Sequence, residues 1–416
     1  MLNKLKPKSE FSRNVLTLMT GTTIAQAIPI AISPILTRIY SPEDFGVFAL
    51  YIAIVNFIAI IATARYELAI VLPKKDEDAI NILALSLIIV VAIVAVLFLA
   101  ILFFKDELLL LLNAKKIGNL LYLVPISILV AGLYQAFNYW SNRKEYFSSI
   151  SKAQISQSLA IGTTQPIFGY FSIYGGLIVG NLIGRVISLF VLLNKFIKND
   201  TKRLKDIEKT VMLEQLKKYK DFPLINSLHA FSDIIKTSGS VMLISSFFGS
   251  VVLGFYALSL RVLQVPSMII GSALGQVLYQ KFTNMHNSGI NLYEYVKKVT
   301  IILLIVAMPI FWVLYFITPE LFAFVFGQKW RVAGEYSQIL IPYLFMNFLI
   351  SPLSSLPIVL NKQKEVFKIS LFGNILFVLN IILFHNYSVT FMLSMLSFTM
   401  TIYSAYVVYW FFRIVK

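Results

Sequence analysis

Residues Ile80–Phe104 read INILALSLIIVVAIVAVLFLAILFF, a run without a single charge. As a helix it is roughly 37 Å long, enough to cross the hydrocarbon core of a bilayer. Outward from it in both directions, apolar blocks of similar length recur along the chain. They predict helices over 14–37, 46–65, 80–104, 118–140, 153–172, 176–197, 222–247, 252–280, 297–318, 336–360, 366–385 and 387–412. Of the 416 residues, 58% are hydrophobic and only 13% are charged, where a soluble chain would carry about a quarter. No water-soluble core needs such blocks in series, so the reading is an all-α integral membrane protein with about 12 transmembrane helices. The basic N-terminus lacks a short apolar region ending in a small-residue cleavage site and reads as a retained tail.

The net charge of +16 would suit nucleic acid, but its placement argues otherwise. Most Lys and Arg fall in the N-terminal tail, after the second, fourth, sixth, eighth and tenth predicted helices, and at the C-terminus. Only Arg38, Lys105, Lys115, Lys116, Lys329 and Arg331 fall on the opposite side. The positive-inside rule then puts both termini in the cytoplasm, with the basic excess facing an anionic leaflet. No nucleic-acid role is expected, since no soluble domain is predicted to carry one. Zero cysteines exclude disulfides, thiol catalysis and Cys-based metal sites. No phosphate-binding Gly-rich loop ending in Lys-Ser/Thr and no His-Glu-x-x-His or Gly-x-Ser-x-Gly motif occurs. The expected external loops, near 105–117 and 319–335, are short. Neither an enzyme nor a cofactor or metal site is expected, and the available chemistry is binding and release.

Two short matches suggest an internal repeat. FGVFALY (Phe45–Tyr51) pairs with LGFYALS (Leu253–Ser259), with Gly46 and Gly254 half the chain length apart. NRKEYF (Asn142–Phe147) pairs with KQKEVF (Lys362–Phe367), each at the cytoplasmic end of a helix. Six helices per copy give both copies the same in–out sense, hence two parallel repeats. The expected division is a six-helix lobe at 1–198, an amphipathic cytoplasmic connector at 199–221 and a second six-helix lobe at 222–416.

Within the eighth span, Gly254–Gln280, the one charge is Arg261. An arginine at mid-span costs about 2.5–3.5 kcal/mol on insertion scales, so polar company is expected. At about 100° per residue, Gln264, Met268, Ser272, Gly275, Gln276 and Tyr279 share its side of the helix. In the seventh span, Asn226, His229, Asp233, Lys236, Thr237 and Ser240 form a second stripe. Two consecutive polar stripes point to a common water-filled cavity. Arg261, without a nearby acid in sequence, suits an anion, above all a phosphate accepting a bidentate guanidinium. Asp233 and Lys236, three residues apart, either neutralise each other or leave Asp233 as a proton or cation carrier. His229 is either a structural histidine or a group titrating near neutral pH. Arg185 lies beside the seam Gly176-x-x-x-Gly180-x-x-x-Gly184 and serves either helix packing or a substrate path. Pro29, Pro34, Pro266, Pro342, Pro352 and Pro357 inside spans free backbone carbonyls and permit bends.

Three segments carry a family resemblance: LTRIYSPEDFGVFALY (Leu36–Tyr51), GFYALSLRVLQVPSMIIGSALGQVLYQKF (Gly254–Phe282) and FGQKWRVAGEYSQILIPYLFMNFLISPLSSLPIVLNKQ (Phe326–Gln363). Together they resemble the Wzx-type polysaccharide flippases, such as O-antigen flippases. These are bacterial members of the multidrug/oligosaccharidyl-lipid/polysaccharide (MOP) exporter superfamily. The resemblance implies two six-helix lobes around a central cavity, in the cytoplasmic (inner) membrane. It implies an undecaprenyl-diphosphate-linked oligosaccharide as cargo, flipped to the periplasmic leaflet by alternating access for O-antigen, lipopolysaccharide or capsule-type polysaccharide. Membrane lipids and other polysaccharide-assembly membrane proteins are candidate partners. Arg261, with Lys236 and Arg185, would meet the diphosphate, while Asn226, Gln264, Ser272, Gln276 and Tyr279 would line the sugar path. Asp233 with His229 would couple transport to an ion. Some relatives carry more basic residues in the first two helices, whereas here Arg38 and Arg65 stand only at their ends. Two alternatives stay open: a MATE-like drug/cation antiporter, which would favour a more acidic cavity, and a membrane glycan polymerase or ligase.

Overall fold

Lipid offers no hydrogen bonds, so a chain of long apolar runs satisfies its backbone within each segment by forming helices. The computed structural model describes residues 10–111, 113–223 and 227–416, and their side chains except at 10–16, 111, 227–229, 265–273 and 276. Every regular element among them is helical. In order these are α1 (Glu10–Ile39), α2 (Pro42–Ala62), a 3-10 turn (Tyr66–Val71), α3 (Asp76–Leu111), a second 3-10 segment (Lys115–Tyr122), α4 (Leu123–Arg143), α5 (Phe147–Tyr170) and α6 (Gly176–Asn199). A 3-10 turn (Thr201–Asp206), α7 (Lys209–Lys218), α8 (Ser227–Ile234), a π-helical turn (Ile235–Gly239) and α9 (Ser240–Asn287) follow. The chain ends with α10 (Tyr293–Phe326), a 3-10 turn (Gln328–Trp330), α11 (Arg331–Leu353), the short α12 (Leu356–Val359), α13 (Gln363–Phe384) and α14 (Val389–Ile414).

Each expected helix has a counterpart. Among the described residues, 10 stretches are long and apolar enough to cross a membrane. The expected 153–172 span, now α5, is not one of them, because Ser, Thr and Gln dilute its apolar content. The break expected between 247 and 252 is a single residue, Gly249, at φ 83° and ψ 173° inside α9. Only glycine adopts that conformation without strain.

The helices pack as two compact units, Met1–Tyr40 with Val47–Ile234, and Ser41–Gly46 with Ile235–Lys416. This differs from the expected division at 198 and 222. The connector belongs to the first unit, where Asn81 of α3 donates to the Asp206 carbonyl (2.8 Å) and accepts from the Glu208 N–H (2.9 Å). The Tyr66 hydroxyl donates to the Leu216 carbonyl of α7 at 3.1 Å. Conversely, the first turn of α2 joins the second unit: Phe45 meets Trp330 edge-on at 4.9 Å, and Ser250 donates to Glu43 at 3.1 Å.

In the first unit α1, α5 and α6 lie side by side, and the polar residues of α5 explain why. Pro29 has no N–H, so the Ala25 carbonyl one turn earlier lacks its helical partner; Ser158 of α5 donates to it at 2.7 Å. Gly21 lets α5 approach: a Cβ there would stand 2.5 Å from that of Ser151. The second unit repeats the device. Pro319 in α10 frees the Tyr315 carbonyl, and Gln338 of α11 donates to it at 2.8 Å. Buried Trp140 and Phe196 anchor the first core, and Phe282, Leu353 and Phe411 the second.

The repeat-related glycines meet within the second unit. A Cβ on Gly46 would stand 1.7 Å from the Ser250 carbonyl oxygen, and one on Gly254 would stand 1.7 Å from that of Pro42. Ser250 precedes Gly254 by four residues, as Pro42 precedes Gly46. The contact is therefore reciprocal, each glycine resting on the carbonyl one turn before the other.

Candidate functional site

Arg185 sits in the middle of α6 within a membrane-spanning stretch. Its neighbours Gly176, Gly180 and Gly184 form the expected seam. A Cβ on Gly180 would be 2.7 Å from Gln165, and one on Gly184 would be 2.5 Å from Ile161, both on α5. Arg185, next to that seam, has an interaction beyond it. Its charge interacts with Tyr51 of α2, whose hydroxyl is 2.7 Å from that of Ser127 on α4. The Arg185 Nε is buried with no hydrogen-bond partner among the described residues. A guanidinium with an unused donor inside a span can take an anionic oxygen.

In the second unit Lys236 occupies the π-helical turn Ile235–Gly239. Such turns recur at functional positions because the extra residue turns a side chain off the helical register. Its Nζ lies 5.5 Å above the Phe377 ring of α13, and Phe377 lies 6.3 Å from Tyr343 of α11. The aromatic face shelters the ammonium in an apolar setting without neutralising it. Arg261 is half-buried on α9, whereas Gln264 and Tyr279 on the same helix are exposed. Asp233, at the end of α8, is exposed. Asn226 and the side chains of His229, Ser272 and Gln276 lie outside the described residues. Arg185 and Asp233 fall in the first unit, and Lys236 and Arg261 in the second.

A further group was not singled out from sequence. Glu67, in the 3-10 turn after α2, is fully buried, with both carboxylate oxygens lacking hydrogen-bond partners among the described residues. Arg65 forms an ion pair with it at 3.8 Å. Burial pushes the Glu67 carboxyl above its ordinary range, and the Thr63 hydroxyl, a backbone N–H and Arg65 offset that only in part. The signal available was an acid inside the apolar hexamer YELAIV (Tyr66–Val71).

Close to this turn a charged clasp ties the ends of three helices. Arg143 of α4 donates to Asp76 of α3 at 3.0 Å and to the Pro73 carbonyl at 2.6 Å. Lys144 also bonds Asp76, and the buried Trp140 donates to Asp200 at 3.0 Å. The NRKEYF motif thus serves helix anchoring in this unit.

The family model described as "Polysaccharide biosynthesis protein" matches residues 35–335. Among curated proteins, the chain is 23% identical over 306 residues to the succinoglycan biosynthesis transport protein ExoT of Rhizobium meliloti (strain 1021). That match covers 72% of this chain but only 59% of the relative. Among solved structures, the lipid II flippase MurJ in an inward closed conformation matches with a TM-score of 0.75 at 15% identity, covering 95% of this chain and 87% of that one. An inward-facing multidrug resistance MATE transporter of the MOP superfamily matches with a TM-score of 0.67 at 15% identity, covering 93% and 95%. At such identities the structural matches establish a MOP-type fold. With the family model spanning most of its length, this multi-pass membrane chain belongs to the polysaccharide biosynthesis protein family.

Proposed function

We propose that the protein flips an undecaprenyl-diphosphate-linked oligosaccharide from the cytoplasmic to the periplasmic leaflet of a bacterial inner membrane by alternating access, with both termini cytoplasmic and no bond-making chemistry of its own. The observation that carries this reading is cationic: Arg185, Lys236 and Arg261 all lie in membrane-spanning stretches of a polysaccharide biosynthesis protein. A diphosphate headgroup has the charge and oxygen geometry that guanidinium groups bind in bidentate fashion. Arg261 is assigned the diphosphate, with Lys236 and Arg185 as helpers. Gln264 and Tyr279, with Asn226, Ser272 and Gln276, are assigned to the sugar path, and Asp233 with His229 to ion coupling. A cationic drug would gain nothing from three basic groups.

The test is surface-glycan export in cells carrying Arg261→Ala, with membrane abundance monitored in parallel. Export should be lost while abundance holds, and Arg261→Lys should restore only part of it. Normal export from the alanine variant refutes the assignment. Increased drug sensitivity with intact glycan in a strain lacking the protein would instead favour the antiporter.

A further inference from the structure

We propose that Glu67 is a proton-binding site, and that proton uptake and release at its carboxyl couple to cargo translocation. The claim rests on the translocation reading for its purpose, though not for its chemistry, and it adds a coupling acid to the pair Asp233 and His229 rather than replacing them.

The geometry begins with the backbone. Ala64 and Arg65 both hold left-handed conformations, φ 47° and 62°, in the link between α2 and the 3-10 turn. Two consecutive non-glycine residues in that region are strained, and such strain persists only where surrounding structure enforces it. The link delivers Glu67 into a fully buried position. Thr63, four residues earlier, faces the same carboxyl, and its hydroxyl is also buried with no partner in hydrogen-bonding geometry among the described residues. A deprotonated Glu67 can only accept hydrogen bonds, whereas its protonated form brings a second donor to this buried group of oxygens.

The surroundings favour a proton over a metal ion. Arg65, in the same link, is a cation beside the carboxylate, and its Nε is itself buried with no hydrogen-bond partner among the described residues. A guanidinium at that distance repels a metal ion, while a bound proton merely neutralises the acid. From α4, Tyr139 faces Glu67, and Arg143 is engaged lower down with the Ile70 and Pro73 carbonyls. From α3, Ala79, Ile80 and Leu83 share the apolar core with Tyr66 and Ile70. The acids in the first turn of α3 are engaged elsewhere, Asp76 with Arg143 and Lys144, Glu77 with Arg203, and Asp78 with Gln215 of α7. No group of three or more metal-ligating side chains occurs among the described residues. Burial that holds the carboxyl above its ordinary range is the direction a proton carrier needs.

The experiment is pH-titrated infrared difference spectroscopy on the full-length protein in lipid nanodiscs, wild type against Glu67→Gln and Glu67→Asp. The carboxyl C=O band separates this acid from the three histidines. Wild type should show a protonated-carboxyl band that titrates above the ordinary carboxylate range. The band should be absent in Glu67→Gln and shifted in Glu67→Asp. A wild type without such a band, or a band that survives in Glu67→Gln, overturns the site. A second arm uses proteoliposomes with a lipid-linked diphosphate glycan, an imposed pH gradient and an internal pH dye. Flipping in wild type should follow the gradient, with proton flux, and that dependence should vanish in Glu67→Gln. Gradient-dependent flipping unchanged in Glu67→Gln also overturns the coupling. If wild type flips no glycan while the Glu67 band titrates, the cargo reading fails and the proton site stands.

Discussion

Single side chains inside a membrane protein reveal their purpose through what they lack. Glu67 lacks contact with water, and this has a thermodynamic consequence. Its carboxyl is held above its ordinary value of about 4.3, so the folded chain binds the proton more tightly than the unfolded chain does. The associated stability is fully present below that ordinary value and is lost as pH rises through the raised one. Thermal melts in detergent, followed by tryptophan fluorescence, should fall in midpoint from acid towards neutral pH. Glu67→Gln should flatten that fall and melt above wild type at neutral pH. Lys236 offers the contrasting case. Its ammonium over Phe377 gains about 0.5–2 kcal/mol from the ring. Phe377→Leu should therefore lower the melting midpoint modestly, and Lys236→Gln should reduce glycan export more than it reduces stability. Equal losses in both measurements would make Lys236 a packing residue.

At the level of the helix, prolines and glycines set the contacts. Ser158 and Gln338 each donate to a carbonyl released by a proline on the neighbouring helix. Removing either donor leaves a carbonyl without a partner, at about 1–3 kcal/mol. Ser158→Ala and Gln338→Leu should each depress the melting midpoint, while Ser158→Thr, which keeps the hydroxyl, should recover part of the loss. Normal melting in both would show that the carbonyls find other partners. The Gly46–Gly254 crossing is stricter, since any side chain there collides with backbone rather than with a movable group. The two kinds of contact differed in how visible they were beforehand. The glycine pair announced itself as a repeat because identical local demands produced similar heptamers half a chain apart. The role of Ser158 could not be read, because which carbonyl it meets depends on how α5 lies against α1. The run Tyr66–Val71 lies just past the end of the second expected helix, and six residues are too few to show a period, so no periodic pattern in the sequence marks Glu67 as buried. The π-helical turn at Lys236 was hidden for a related reason: a helical wheel at a fixed angle assumes the regularity that such a turn breaks.

Across the whole molecule, the distribution of Lys and Arg is the property that orients the chain in its membrane. Long apolar stretches fix how many times the backbone can cross, but are indifferent to direction. Lys74 and Lys202, both exposed, fall on the side that the basic excess assigns to the cytoplasm. Lys115 and Gln328, also exposed, fall on the opposite side. Because the chain contains no cysteine, single cysteines at these four positions report accessibility without background. A membrane-impermeant maleimide should label Lys115→Cys and Gln328→Cys in intact cells made permeable only at the outer membrane. Lys74→Cys and Lys202→Cys should react only after the inner membrane is opened. The inverse pattern would place the termini outside and reverse the direction in which a diphosphate-linked cargo must first meet Arg185, Lys236 and Arg261. A mixed pattern, with Lys115→Cys and Gln328→Cys on different sides, would instead require an odd number of crossings between them, breaking the two-copy topology on which same-sense repeats depend.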